Sequence, residues 1–171
     1  MKSIIRRFFI ILFLVFCVTG CAGKDKTDRN TITVWHWMSD RDEIFQELAK
    51  RFENETQIKV KVELYAPSEA YAQKVRVSAQ TRTLPDIYGI LGEKRDFASF
   101  IESKHVADLT AQLNAADKGG VWKSMFFEKA LAVNEFLPGN EYGVRPGIYG
   151  IPLDVSTIQM IYNKDLYKKA G

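Results

Sequence analysis

Residues 31–64 place the tightest constraint on what this chain can fold into. Thr31 to Trp37 is β-branched and aromatic and reads as a strand. Ser39 and Asp40 follow as helix caps, with Glu43 three residues after Asp40 in capping-box register. Ile44, Phe45, Leu48, Ala49 and Phe52 then recur at helical spacing and give one apolar face. Ile58, Val60, Val62 and Leu64 alternate with Lys59, Lys61 and Glu63, the pattern of a half-buried strand near a sheet edge with its lysines outward. Strand, helix, strand is the unit that pairs two strands in parallel, because a parallel pair needs a crossover.

The pattern continues downstream. Pro67-Ser68 breaks the chain, and Ser68 is placed to cap a second helix with Tyr71, Ala72, Val75 and Ala79 on its apolar side. Leu84 to Ile90 reads as a short buried strand. A third helix from about Lys94 to Ser103 buries Phe97, Phe100 and Ile101, and Val106 and Leu109 dock the loop after it. Trp122, Met125, Phe126, Leu131 and Val133 belong to a further helix. Asn134 to Gly147, rich in Gly, Pro and Asn, reads as an irregular loop. Alternating strands and helices argue for an α/β domain with a mostly parallel sheet.

Near the end, Pro152 opens a mostly apolar, β-branched run from Val155 to Tyr162 that stops at Asn163, with Asp165 placed to cap another helix. This reads as a strand that leaves one domain and starts a second. The chain ends at Gly171, inside or just after that helix, so it reads as the front part of a longer protein.

The other end is a targeting segment. Lys2, Arg6 and Arg7 precede an unbroken apolar run from Phe8 to Val18. That run is shorter than the ~20 residues of a membrane-spanning helix and fits the apolar region of a signal peptide. Val18-Thr19-Gly20-Cys21 follows, and small residues before a cysteine in this place resemble a bacterial lipobox. The resemblance implies cleavage before Cys21 and acylation of its thiol, against an ordinary signal with an incidental cysteine. Two acyl chains would hold the protein at a membrane surface. Residues 21–30 are polar and aperiodic and read as a flexible tether. Cys17 leaves with the signal and Cys21 takes lipid, so no thiol remains for a disulfide, a redox pair or a metal cage. Three of the 24 basic residues lie in the signal and none of the 21 acidic ones does. The rest is therefore balanced in charge, with no clustered basic patch for nucleic acid.

Pro152-Leu153-Asp154, Ser156-Thr157, Ile161-Tyr162-Asn163-Lys164-Asp165-Leu166 and Lys169-Ala170-Gly171 resemble the first interdomain crossover of bacterial extracellular solute-binding proteins. Val34-Trp35-His36-Trp37 and Leu84-Pro85-Asp86-Ile87 resemble the same family, nearest to the carbohydrate-binding lipoproteins that feed ABC importers. The resemblance runs in order over nearly all of the chain after the signal. It implies a periplasmic-binding-protein-like (type II) α/β fold: a signal peptide over 1–20, a tether over 21–30, a first lobe over 31–152, and a crossover with the start of a truncated second lobe over 153–171. The family also returns later segments to complete its first sheet, so the fragment alone should bind weakly or not at all. The resemblance further implies an extracytoplasmic, lipid-anchored receptor with no cofactor and no metal. Its partners would be a small solute, here a mono- or oligosaccharide, and the membrane permease subunits.

Ligands of open α/β sheets bind beyond the carboxyl ends of the strands. His36, Trp37, Ser39, Asp40 and Arg41 follow the first strand, Leu91 to Lys94 the third, and Asp154, Ser156 and Thr157 sit at the crossover. Aromatic plates with carboxylates, hydroxyls and cations suit a sugar, whose ring faces are apolar and whose hydroxyls bond well to charged groups. By position in those loops, the resemblance marks Trp37, Asp40, Arg41, Glu93, Lys94, Asp154 and Ser156 as ligand-binding. Plainer readings stand beside several of them: a helix cap for Asp40, solvated first-turn residues for Arg41, Glu93 and Lys94, and a cap or hinge brace for Asp154. Trp35 reads as core and His36 as a satisfied buried histidine. No Gly-x-Ser-x-Gly elbow, His-Glu-x-x-His or phosphate-binding glycine loop is present. Carboxylates are plentiful enough for a glycosidase pair, and the sequence places no two of them across a site. The rival readings are an envelope carbohydrate-active enzyme and a non-transport scaffolding lipoprotein.

Overall fold

The computed structural model describes residues 30–115, 118–155 and 160–171. The signal, Cys21 and Ser156 lie outside them. The chain divides into two compact units: one holding residues up to Tyr65 together with Pro85–Tyr88, the other holding Ala66–Leu84 and Gly89–Gly171.

The first unit is built on a parallel three-stranded sheet, ordered β2-β1-β3, from β1 (Thr31–His36), β2 (Lys59–Leu64) and β3 (Ile87–Tyr88). Helix α1 (Asp42–Thr56) makes the crossover between β1 and β2. The alternating strand is on an edge as expected, with Lys59 and Lys61 exposed and Val60 and Val62 half-buried. Glu63 departs from the pattern. It is half-buried because the Trp35 indole donates to its Oε2 at 2.8 Å and Lys61 Nζ lies 3.1 Å from Oε1. Burial alone would raise its pKa, but these donors outweigh it and hold the carboxyl low. Trp35 is buried, as expected of a core residue, and meets Tyr65 edge-on at 5.0 Å.

Two expectations here need correction. The apolar side of α1 is only partly used. Ala49 is buried and Phe45 half-buried, while Ile44, Leu48 and Phe52 remain 58%, 51% and 41% exposed. The sheet beneath has three strands, one of them two residues long, which is too narrow to cover the whole stripe. The strand expected over Leu84–Ile90 pairs only at Ile87 and Tyr88, and Ile87 is exposed.

Asp86 explains how so short a strand holds its place. Its Oδ2 accepts from the Thr33 amide at 2.8 Å and from Thr33 Oγ1 at 2.7 Å, while the Asp86 amide donates back to Thr33 Oγ1 at 3.0 Å. The bonds from Thr33, backbone first, favour the charged carboxyl and lower its pKa. The stability it contributes is therefore present above its unfolded value of about 3.9 and is lost as pH falls through the lower folded value. Asp86→Ala should lower the neutral plateau modestly, as Asp86 is exposed, and flatten the acid limb, so that variant and parent converge at low pH. Urea midpoints between about pH 3 and 6 check this.

The second unit contains α2 (Ser68–Thr81), α3 (Lys94–Glu102), α4 (Thr110–Asn114), α5 (Lys118–Ser124), α6 (Glu128–Val133) and α7 (Lys164–Ala170), with an antiparallel pair of β4 (Glu135–Phe136) and β5 (Gly147–Ile148). Tyr71, Val75 and Ala79 of α2 are buried, as their spacing predicts. Two core clusters form around the β4–β5 hairpin. One joins Ala98 and Ile101 to Phe136, Val144 and Tyr149; the other joins Leu113, Leu131 and Ile148. Val106 and Leu109 pack on these clusters, as expected of the loop after α3.

The stretch expected to be an irregular loop is thus a hairpin at the centre of this unit. Its turn is stitched by Asn140, whose amide donates to Val144 O at 2.7 Å and whose Oδ1 accepts from the Tyr142 and Val144 amides at 3.2 Å. The single helix expected around Trp122–Val133 is two, because the backbone turns extended at Phe127. Trp122, Met125 and Val133 are exposed. The expected caps are displaced too. Pro67 rather than Ser68 precedes α2, and no side-chain cap bond forms there. Asn163 rather than Asp165 caps α7, accepting from the amides of Asp165 and Leu166. Residues 151–155 and 160–162, flanking the undescribed part of the expected crossover strand, have no regular structure.

Candidate functional site

In the first unit the candidate residues lie beyond the carboxyl end of β1. Trp37 and Met38 continue from the strand, and Ser39–Arg41 form a 3-10 turn before α1. The turn is closed by the Arg41 amide donating to Met38 O at 3.1 Å. It also displaces the expected cap: α1 starts at Asp42, and Asp40 makes no cap bond. Asp40 instead lies beside Arg41, with Nε 3.6 Å from Oδ2, and Arg41 Nη1 approaches Met38 Sδ at 3.7 Å. Trp37 is half-buried. The loop thus carries an indole, a hydroxyl, a carboxylate and a guanidinium within five residues. An exposed ion pair like Asp40–Arg41 contributes at most about 1 kcal/mol, so breaking it costs the fold little.

His36 lies at the root of this loop. It is 3% exposed, its Nε2 is 3.0 Å from Asp42 Oδ1, and its ring leans on Phe45 at 4.5 Å. It is the buried histidine the sequence predicts, satisfied at one nitrogen only: Nδ1 has no hydrogen-bond partner.

In the second unit the candidate residues lie where the chain leaves Gly89 and enters α3. Buried Tyr71 grips Gly89 from below: its hydroxyl donates to Gly89 O at 3.0 Å and accepts from the Gly89 amide at 2.9 Å. Glu93 precedes α3 in extended conformation and forms a capping box with Asp96, its amide donating to Asp96 Oδ2 at 3.1 Å. This matches the plainer reading of Glu93 as a helix start. Gly92 has φ +150°, and a Cβ there would stand 2.3 Å from Asp96 Oδ2. Gly92→Ala should therefore break the capping box and cost about 1–2 kcal/mol, read as a lower urea midpoint.

Lys94 is half-buried and bonded to backbone, not a freely solvated first-turn residue. Its Nζ donates to Glu135 O at 2.7 Å and Ala132 O at 3.4 Å, and sits 4.9 Å above the centre of the Phe136 ring. It braces α3 to the end of α6 and to β4. A surface pocket of ≈ 390 Å³ lies over this brace, lined by Lys94, Glu135, Phe136, Asn140, Glu141 and Tyr142 among others. A hydrogen bond with Glu141 pushes the Tyr142 phenol up. Asp154 is exposed on a segment without regular structure.

The structure thus brings Trp37, Asp40 and Arg41 together in one unit, and Glu93 and Lys94 together in the other, with Asp154 also in the second. Sequence reasoning missed Tyr71 as a support of the second loop. Its signal was a tyrosine in a stripe otherwise made of aliphatic residues. Among the described residues no group of three or more His, Cys, Asp or Glu is arranged to hold a metal ion. No described helix is long and apolar enough to cross a membrane. The profile of the bacterial extracellular solute-binding proteins matches residues 37–171, from Trp37 through both candidate loops to the end of the chain. No curated protein matches it.

Proposed function

The chain belongs to the bacterial extracellular solute-binding proteins, and from that premise we propose that it is the carbohydrate receptor of an ABC-type importer. The family binds solutes outside the cytoplasm for import and is typically not enzymatic. The observation that carries the finer reading is the loop after β1. There the match begins, and a tryptophan, a hydroxyl, a carboxylate and a guanidinium stand at the end of a strand, the set that grips a sugar ring by face and edge.

On this reading Trp37, Asp40, Arg41, Glu93, Lys94, Asp154 and Ser156 are the ligand-binding residues. Residues 31–152 serve as one lobe and 153–171 lead into the other. Binding that favours a closed form shifts the population toward it, and permease subunits read that form. Lys94 contributes through the backbone it fixes as well as through its charge, given the carbonyls it holds. Acylated Cys21 keeps the receptor at the membrane. Cys21→Ser should move the protein from the membrane fraction to the soluble one, seen by fractionation and blotting.

A thermal-shift screen of neutral mono- and oligosaccharides on the protein expressed from its full reading frame tests the ligand class, because binding to the native state raises Tm. At 100 times Kd the gain is about 2.7 kcal/mol, a shift of several degrees. A flat response to every sugar, with a shift from an amino acid, a polyamine or a metal chelate, sinks the carbohydrate reading. Turnover of a glycan by the purified protein sinks the receptor reading.

A further inference from the structure

We propose that His36 and Asp42 are a positioning pair for the loop that carries Trp37, Asp40 and Arg41. His36 is the last residue of β1 and Asp42 the first of α1. Their 3.0 Å contact therefore joins the two ends of the five-residue segment 37–41 and closes it into a ring. The residues preceding the 3-10 turn and α1 make no side-chain cap bond. Inside the loop, the Arg41 amide to Met38 O fixes the turn but does not attach it to the strand.

The imidazole is held from two places on α1. Asp42 meets Nε2, and Phe45, three residues on and so on the same helix face, packs on the ring at 4.5 Å. A carboxylate only accepts, so Nε2 carries the proton and donates, and this fixes the tautomer. Nδ1 is then left in the core with no partner. A buried ring with half of its hydrogen-bonding capacity unused is a poor choice for packing alone, since an aliphatic side chain would fill the strand end without stranding a polar atom. What the aliphatic side chain could not do is hold Asp42. The pair lowers the disorder the loop must lose when a solute settles on it, which is preorganisation.

The inference rests on reading this loop as solute-facing, but its test needs no sugar, so the two can fail separately. Hydrogen exchange followed by mass spectrometry on the intact chain compares His36→Leu, Asp42→Leu, His36→Gln and Asp42→Asn with the parent. Gln places a donor near the position of Nε2, and Asn keeps an acceptor at Oδ1. Asp42 is half-exposed, so its leucine variant folds even if His36→Leu disturbs the core. The expected result is exchange about tenfold faster or more in peptides covering 37–41 for the leucine variants, with β1 and the body of α1 protected as before. His36→Gln and Asp42→Asn should stay within about threefold of the parent. Unchanged exchange at 37–41 in Asp42→Leu overturns the proposal. So does a rise spread evenly over β1 and α1 in all four variants, which would make the pair a packing feature.

Discussion

Phe136→Ala should unfold most of the second unit. The ring is 1% exposed and is ringed by Phe97 at 5.7 Å and by Tyr142 and Tyr149 at 6.0 Å, with the Lys94 ammonium above it. Truncation to Ala removes the transfer energy of the ring and leaves a cavity, a loss of about 3–5 kcal/mol. It also removes the aromatic face beneath Lys94, whose remaining hold is on the backbone carbonyls of Ala132 in α6 and Glu135 in β4. Against a total stability of about 5–15 kcal/mol for a whole domain, that loss is decisive. Urea titration followed by near-ultraviolet dichroism should show tyrosine signals of this unit vanishing at a much lower midpoint, while Phe136→Leu loses less. A midpoint within about 0.5 kcal/mol of the parent would mean that the hairpin is not the centre of the unit.

Tyr71→Phe is expected to be costly for a change of one oxygen. The ring stays, so no cavity term arises and the loss isolates the hydroxyl. That hydroxyl is both donor and acceptor for Gly89, so its removal strands a backbone N–H and a backbone C=O together. Each unpaired buried group costs about 1–3 kcal/mol, giving about 2–4 kcal/mol for the pair once some water reaches the gap. The damage should be local. Amides of residues 89–93 should exchange faster while the remainder of α2 holds, and any sugar found by thermal shift should bind more weakly for loss of a fixed loop. Unaltered exchange at 89–93 would show that the loop is held by other contacts.

These two residues illustrate what the sequence displays and what it hides. The β1–α1–β2 unit was legible because its periods change cleanly from two to 3.6 and back, and Trp35 and His36 fell where a buried strand end puts them. The β4–β5 hairpin was not. Its strands are two residues each, too short to show alternation, and the Pro138-Gly139-Asn140 turn dominates the local composition. The break at Phe127 was masked by the apolar run Met125-Phe126-Phe127, which reads as helix interior. Caps were misplaced by one or two residues at three helices: a 3-10 turn puts Arg41 before α1, Pro67 precedes α2, and Asn163 takes the position expected of Asp165 at α7.

For the site, the loop after β1 could be read because it hangs directly from a strand end. Lys94 could not. Its role is set by a carbonyl 41 residues away, and no local signal announces a side chain that bonds to backbone. The Leu84-Pro85-Asp86-Ile87 motif was visible as a pattern, but its reason lies in the reciprocal bonds between Asp86 and Thr33.

Those bonds separate two jobs that a longer strand would have to share. With Thr33 and Asp86 locking the alignment at its entrance, β3 does not depend on what comes after Tyr88 to stay in register, and a slip by one residue would forfeit all three bonds. Insertions or substitutions in the stretch from Gly89 to Glu93 can then be tried by evolution without risk to the sheet. A protein built this way can vary that loop while its sheet stands still.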